Sequence, residues 1–140
     1  MMPLEETQKV LIEIIDATKN ICRKSKDFSL SIFSINKNEW RILMPPEDSN
    51  NVYDYLSAVV QHLRNVEYDG IAMTNIVDVN NPFMKDRVIV AYFIPKIIDK
   101  NADTFTSVFS SVKPGWDFGE NRFGLVQYTE GVISNIMTLQ

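Results

Sequence analysis

The stretch Val88-Ile89-Val90-Ala91-Tyr92-Phe93-Ile94 constrains this chain more than any other. It is far shorter than the ~20 apolar residues a membrane-spanning helix needs. Its β-branched and aromatic content reads as a strand over about 87–95. An apolar run without polar alternation has no side to give to water. Such a strand is covered on both faces and sits centrally in its sheet.

The rest of the chain supplies the neighbours. Leu11, Ile14, Ile15, Thr18, Ile21 and Cys22 recur at three- and four-residue steps, which predicts an amphipathic helix over about 4–24. Pro3, Glu5 and Glu6 suit its start, and Arg23, Lys24 and Lys26 suit its end. A hairpin follows, with Phe28, Leu30 and Ile32 on one strand and Trp40, Ile42 and Met44 on the other. Asn36-Lys37-Asn38 forms its loop, and Pro45-Pro46 stops it. Ser49 or Asn50 caps a second helix over about 49–66, with Val52, Leu56, Val59, Val60 and Leu63 on one side. A strand over about 70–79 then leads into the apolar run.

Beyond it, Phe105, Val108, Phe109 and Val112 predict a third helix over about 99–112, ended by Pro114-Gly115. A strand over about 122–128 comes next. For 132–139 two alternatives stand: the return strand of a hairpin through Gly131, which is favoured slightly, or a short terminal helix. The order α-β-β-α-β-β-α-β-β predicts one α+β domain over 1–140, a mostly antiparallel sheet with helices packed on one face. The early part of this order is similar to that of roadblock- and longin-like scaffolds, in element order and without a shared motif.

With 140 residues, 45% of them hydrophobic and 23% charged, the chain can bury a core without metal or disulfide support. Its single cysteine, Cys22, leaves no internal disulfide and fits a reducing, cytoplasmic setting. The first residues lack a basic segment followed by an apolar one, so no secretory signal is expected. Net charge is −4, and the 8 basic and 11 acidic residues before Gly70 against 6 and 7 from it onward leave no charged tail. That balance argues against nucleic acid as the main ligand.

No catalytic motif stands out. Cys22 lies on the apolar stripe of the first helix and reads as a small buried hydrophobe. His62 reads as a surface or boundary residue, and a serine triad would need that same histidine. One Cys and one His give no structural zinc set. Asp78, Asn80, Asn81 and Asp86 do not match a calcium loop and suit turn formation. Phosphate-binding glycine loops are missing, and no cofactor is expected.

One segment is distinctive. Lys113-Pro114-Gly115-Trp116-Asp117-Phe118-Gly119-Glu120-Asn121-Arg122-Phe123-Gly124 concentrates aromatic rings and glycines in a turn-rich stretch. Rings there either form a binding surface, with Asp117, Glu120 and Arg122 as polar members beside Trp116 and Phe118, or fold back to plug the core. The expectation is a non-catalytic protein-binding module of the inhibitor, immunity-type, adaptor or assembly kind. The alternative is a small-molecule-binding or enzymatic domain with its site under the sheet or between subunits, where Tyr92 or Tyr128 could serve acid/base chemistry. A homo-oligomer built through sheet edges or the first helix is a third possibility.

Overall fold

The computed structural model describes residues 2–26, 30–44, 52–82, 84–97 and 104–127. Its elements are α1 (Leu4–Ser25), β1 (Ser31–Asn36), β2 (Glu39–Leu43), α2 (Val52–Leu63), β3 (Gly70–Asn81), β4 (Met84–Pro95), β5 (Thr104–Lys113), β6 (Asp117–Phe118) and β7 (Arg122–Gln127). Every pairing is antiparallel, in the order β2-β1-β3-β4-β5, with β6 and β7 both on the far side of β5. The α+β class and the antiparallel sheet agree with expectation. Among the described residues no helix is long and apolar enough to cross a membrane.

Side-chain parity divides the core in two. Phe33, Ile35, Ala72, Ile89, Ala91, Phe93 and Val108 pack with Val10, Leu11, Ile14, Ile15 and Cys22 of α1. Ile32, Leu43, Ile71, Met73, Ile94 and Phe105 pack with Tyr55, Leu56, Val59 and Leu63 of α2. Successive strand residues point to opposite faces, so the two helices lie on opposite sides of the sheet. We call these the α1 face and the α2 face. This corrects the expected placement of helices on one face. The β4 run required cover on both faces, and α1 and α2 together supply it.

The third expected helix is also corrected: 104–113 is strand β5. Phe105, Val108, Phe109 and Val112 match a helical stripe, but in a strand covered on both sides the same spacing places 105 and 109 on one face and 108 and 112 on the other. Thr106, Ser107, Ser110 and Ser111 between them, and Thr104 before them, are poor helix formers, and pairing with β4 and β7 satisfies the backbone on both edges. In α1, Ile21 is 44% exposed, and buried Lys19 takes a place on the inner side instead. Residues 132–139, with their two alternatives, lie outside the described residues.

The first hairpin closes through Lys37-Asn38, with Lys37 at φ 57°. Its open end is held by α2. Buried Ile32 N–H donates to the Tyr55 hydroxyl oxygen at 2.9 Å, and that hydroxyl donates to the Leu43 carbonyl. One side chain thus bridges two backbone groups that face each other across β1 and β2.

Tyr55→Phe strands a buried N–H and a buried carbonyl, and is expected to cost about 1–3 kcal/mol in urea unfolding. A loss below about 0.5 kcal/mol would show the bridge to be dispensable. Burial also raises the phenols of Tyr55 and Tyr68, and pushes that of Tyr92 up to about 12. An unfolded tyrosine ionises near ~10. Stabilisation from keeping Tyr92 neutral is therefore complete below that pH and is lost as pH rises toward 12. Tyr92→Phe is expected to flatten the alkaline fall in stability, measured by urea unfolding across this range; an unchanged profile would contradict the burial of the phenol.

Candidate functional site

Pro114, Gly115 and Trp116 connect β5 to β6. Gly115 at φ 81° and Trp116 at φ 58° both occupy the left-handed region. Glycine adopts it freely, whereas a residue with a Cβ pays about 1–2 kcal/mol. The Trp116 conformation is held by packing of its side chain on the α1-face core.

The returning chain does not keep one register. Val112 and Lys113 face Phe118 and Asp117, whereas Phe109 and Val108 face Arg122 and Phe123. Between these pairs Ser110 and Ser111 are opposed by Gly119, Glu120 and Asn121, one residue more. This is a β-bulge, pinned by the Gly119 N–H donating to the Ser111 carbonyl at 3.0 Å.

The bulge distributes the expected site residues over two faces. Trp116 and Phe118, half-buried, pack on the α1 face with ring centroids 6.4 Å apart. Above the Phe118 ring lie the Arg23 guanidinium, 5.1 Å from its centroid, and the Lys19 ammonium at 5.5 Å. The two aromatics therefore close the end of the core under α1. Glu120 and Arg122 instead line a groove of about 310 Å³ with Phe109, Ser111, Lys113 and Gly119. Phe109 and Ser111 share strand parity with Phe105, so this groove opens on the α2 face. Asp117 is exposed opposite Lys113 in the β5–β6 pair. The Ser111 hydroxyl at the groove donates to Asp86 Oδ2 at 2.5 Å.

Asn121, at the bulge itself, ties the loop to α1. Its Oδ1 accepts from Lys19 Nζ at 2.6 Å and from Ser110 Oγ at 2.7 Å, and its Nδ2 donates to Asp16 Oδ1 at 3.1 Å. Lys19 is only 6% exposed, and desolvation lowers its pKa; nearby Asp16, 3.9 Å away, works against that shift, and Arg23 adds to it. Lysines are mostly exposed, and Lys19 departs from that rule. The signal that could have found it is position: four residues after Ile15 and three before Cys22, Lys19 lies on the helix stripe.

Other candidates are separated by the fold. Cys22 is buried on the α1 face, and His62 is exposed at the end of α2 on the other side, so the sheet stands between them. Asp78 pairs with Arg87 Nε at 3.0 Å, while Asp86 holds Ser111. His62 lines a second groove of about 270 Å³ with Ser34, Asn36, Glu39, Arg41 and Glu67. No family model, curated protein or solved structure matches the chain.

Asn121→Ala removes the acceptor shared by a buried ammonium and a buried hydroxyl, and is expected to cost about 2–3 kcal/mol. Lys19→Met removes the charge together with its desolvation penalty and is expected to change stability by less than about 1 kcal/mol. Urea unfolding of both variants checks the pair. Equal losses would contradict the role of Asn121 as the partner of a desolvated charge.

Proposed function

We propose that this protein is a non-catalytic, cytoplasmic protein-binding module of the inhibitor, immunity-type, adaptor or assembly kind, and that it meets its partner through the α2 face around the β5–β7 groove. The observation that carries this reading is the bulge. It presents Glu120 and Arg122 beside Lys113 and Phe109 on one face while anchoring the same loop by Trp116, Phe118 and Asn121 on the other. Rigid presentation of a few charged groups around an aromatic floor suits recognition, because little side-chain and loop freedom is lost on binding.

The shape favours a protein over a small molecule. Ligand pockets of about 300–1,000 Å³ bury most of their ligand. This groove lies at the lower end of that range, and its rim residues Lys113, Glu120 and Arg122 are all exposed. A projecting side chain or a short segment of a partner fits such a site. The two cations are offset by Glu120 and by neighbouring Asp117, which supports mixed-charge protein recognition over a polyanion.

The test is a pull-down of the tagged full chain from its native lysate, read by mass spectrometry beside Lys113→Glu/Arg122→Glu. Both positions are exposed, so the variant should melt within about 2 °C of the parent. A stoichiometric partner retained by the parent and lost from the variant is the expected result. Retention by both would remove the groove from the interface. A parent that holds no partner would favour the alternative, a small-molecule-binding or enzymatic domain.

A further inference from the structure

The contact between α1 and the loop brings together groups that can react with one another. Lys19 Nζ donates to Asn121 Oδ1 at 2.6 Å, and the amide carbon Cγ lies one bond, about 1.2 Å, beyond that oxygen. Ser110 Oγ of buried β5 donates to the same Oδ1 at 2.7 Å, where it can stabilise negative charge forming on that oxygen. One carboxylate oxygen faces both nitrogens: Asp16 Oδ1 accepts from Asn121 Nδ2 at 3.1 Å and lies 3.9 Å from Lys19 Nζ. The Phe118 ring covers the amine, with its centroid 5.5 Å from Nζ. The charged groups acting on Lys19 are Asp16 and Arg23 of α1, whereas the loop presents it with uncharged Asn121 and Phe118. Desolvation is the largest influence, so the neutral, nucleophilic amine is reached below the ordinary lysine value of 10.5.

We propose that Lys19 and Asn121 close an intramolecular isopeptide bond between Nζ and Cγ, releasing ammonia, with Asp16 as the proton carrier. The amine first gives its ammonium proton to solvent. Its lone pair then attacks Cγ, and the carbonyl electron pair moves onto Oδ1, where the Ser110 hydroxyl holds it. Asp16 Oδ1 takes one further proton from Nζ and passes it to Nδ2. The pair on Oδ1 re-forms the carbonyl, the Cγ–Nδ2 bond breaks, and Nδ2 leaves as ammonia. One amide replaces another, so no oxidant, reductant or cofactor enters the balance. Folding supplies the proximity, since the two side chains are 102 positions apart in the chain and in contact in the fold. The bond locks α1 to the bulge covalently. At neutral pH the ammonium form holds the reaction back, so the unfolding comparison of Lys19→Met with Asn121→Ala reads the open chain.

The test uses the purified full chain alone, so its outcome is independent of the binding surface proposed above. The chain is held at about pH 9 for several days, with folding checked by circular dichroism, and its intact mass is followed. The parent is expected to lose the mass of one ammonia. Trypsin then leaves Lys19 uncut and yields a branched peptide joining the Lys19 segment to the Asn121 segment. Lys19→Met keeps its mass, and Asp16→Asn reacts about 100-fold more slowly. Bonding also raises the melting temperature by about 10 °C, because it closes a long loop in the unfolded chain. A folded parent of unchanged mass overturns the proposal. So does ammonia loss that gives no branched peptide and is shared by Lys19→Met, which marks closure of Asn121 on its own backbone. Asp16→Asn reacting as fast as the parent removes Asp16 from the step.

Discussion

Side chains of a strand alternate between faces, and in this sheet each face has its own helix to satisfy. Leu11, Ile14 and Ile15 of α1 need the residues at one parity, and Leu56, Val59 and Leu63 of α2 need those at the other. Slipping any central strand by one position would exchange the two sets. Register is therefore fixed across β1 and the paired inner halves of β3 and β4, residues 70–74 and 88–94, where both faces are largely buried. The fold can change parity only where the core ends, at the β5–β7 edge, and that is where the bulge lies.

The position of the bulge links fold to site. One added residue lets Phe118 close the α1-face core while Glu120 and Arg122 reach the groove on the opposite face. Lys19 and Asn121 hold this arrangement from inside. A buried ammonium is tolerable because it has an amide acceptor and a carboxylate nearby. The polar contact between α1 and the loop thus fixes where the groove residues stand. It belongs to the support of the groove; the surface proposed for a partner lies on the far side of the sheet.

Much of the fold was legible from local pattern. α1, the first hairpin, α2, β3 and β4 all follow from spacing and turn residues, since each has one dominant period. β5 was not, because a strand buried on both faces and an amphipathic helix can show the same apolar positions. The clue that separates them is what lies between Phe105, Val108, Phe109 and Val112: Thr106 and three serines, all poor helix formers. The apolar run of β4 already demanded two covered faces, so placing both helices on one side conflicted with it. Within the candidate site, composition drew attention to the loop, but its division between a core plug and a groove depends on a one-residue register shift that no local pattern encodes. Asn121 and Lys19, 102 positions apart, meet only in the folded chain.

The measurement closest to the centre of this account is the cross-strand proton contact pattern between β5 and residues 117–127 in solution. The bulged register puts Val112 opposite Phe118 and, after the bulge, Val108 opposite Phe123. An unbroken register would instead place Val108 opposite Arg122. That result would carry Arg122 to the α1 face and leave the groove without it, contradicting the basis of the proposed binding surface.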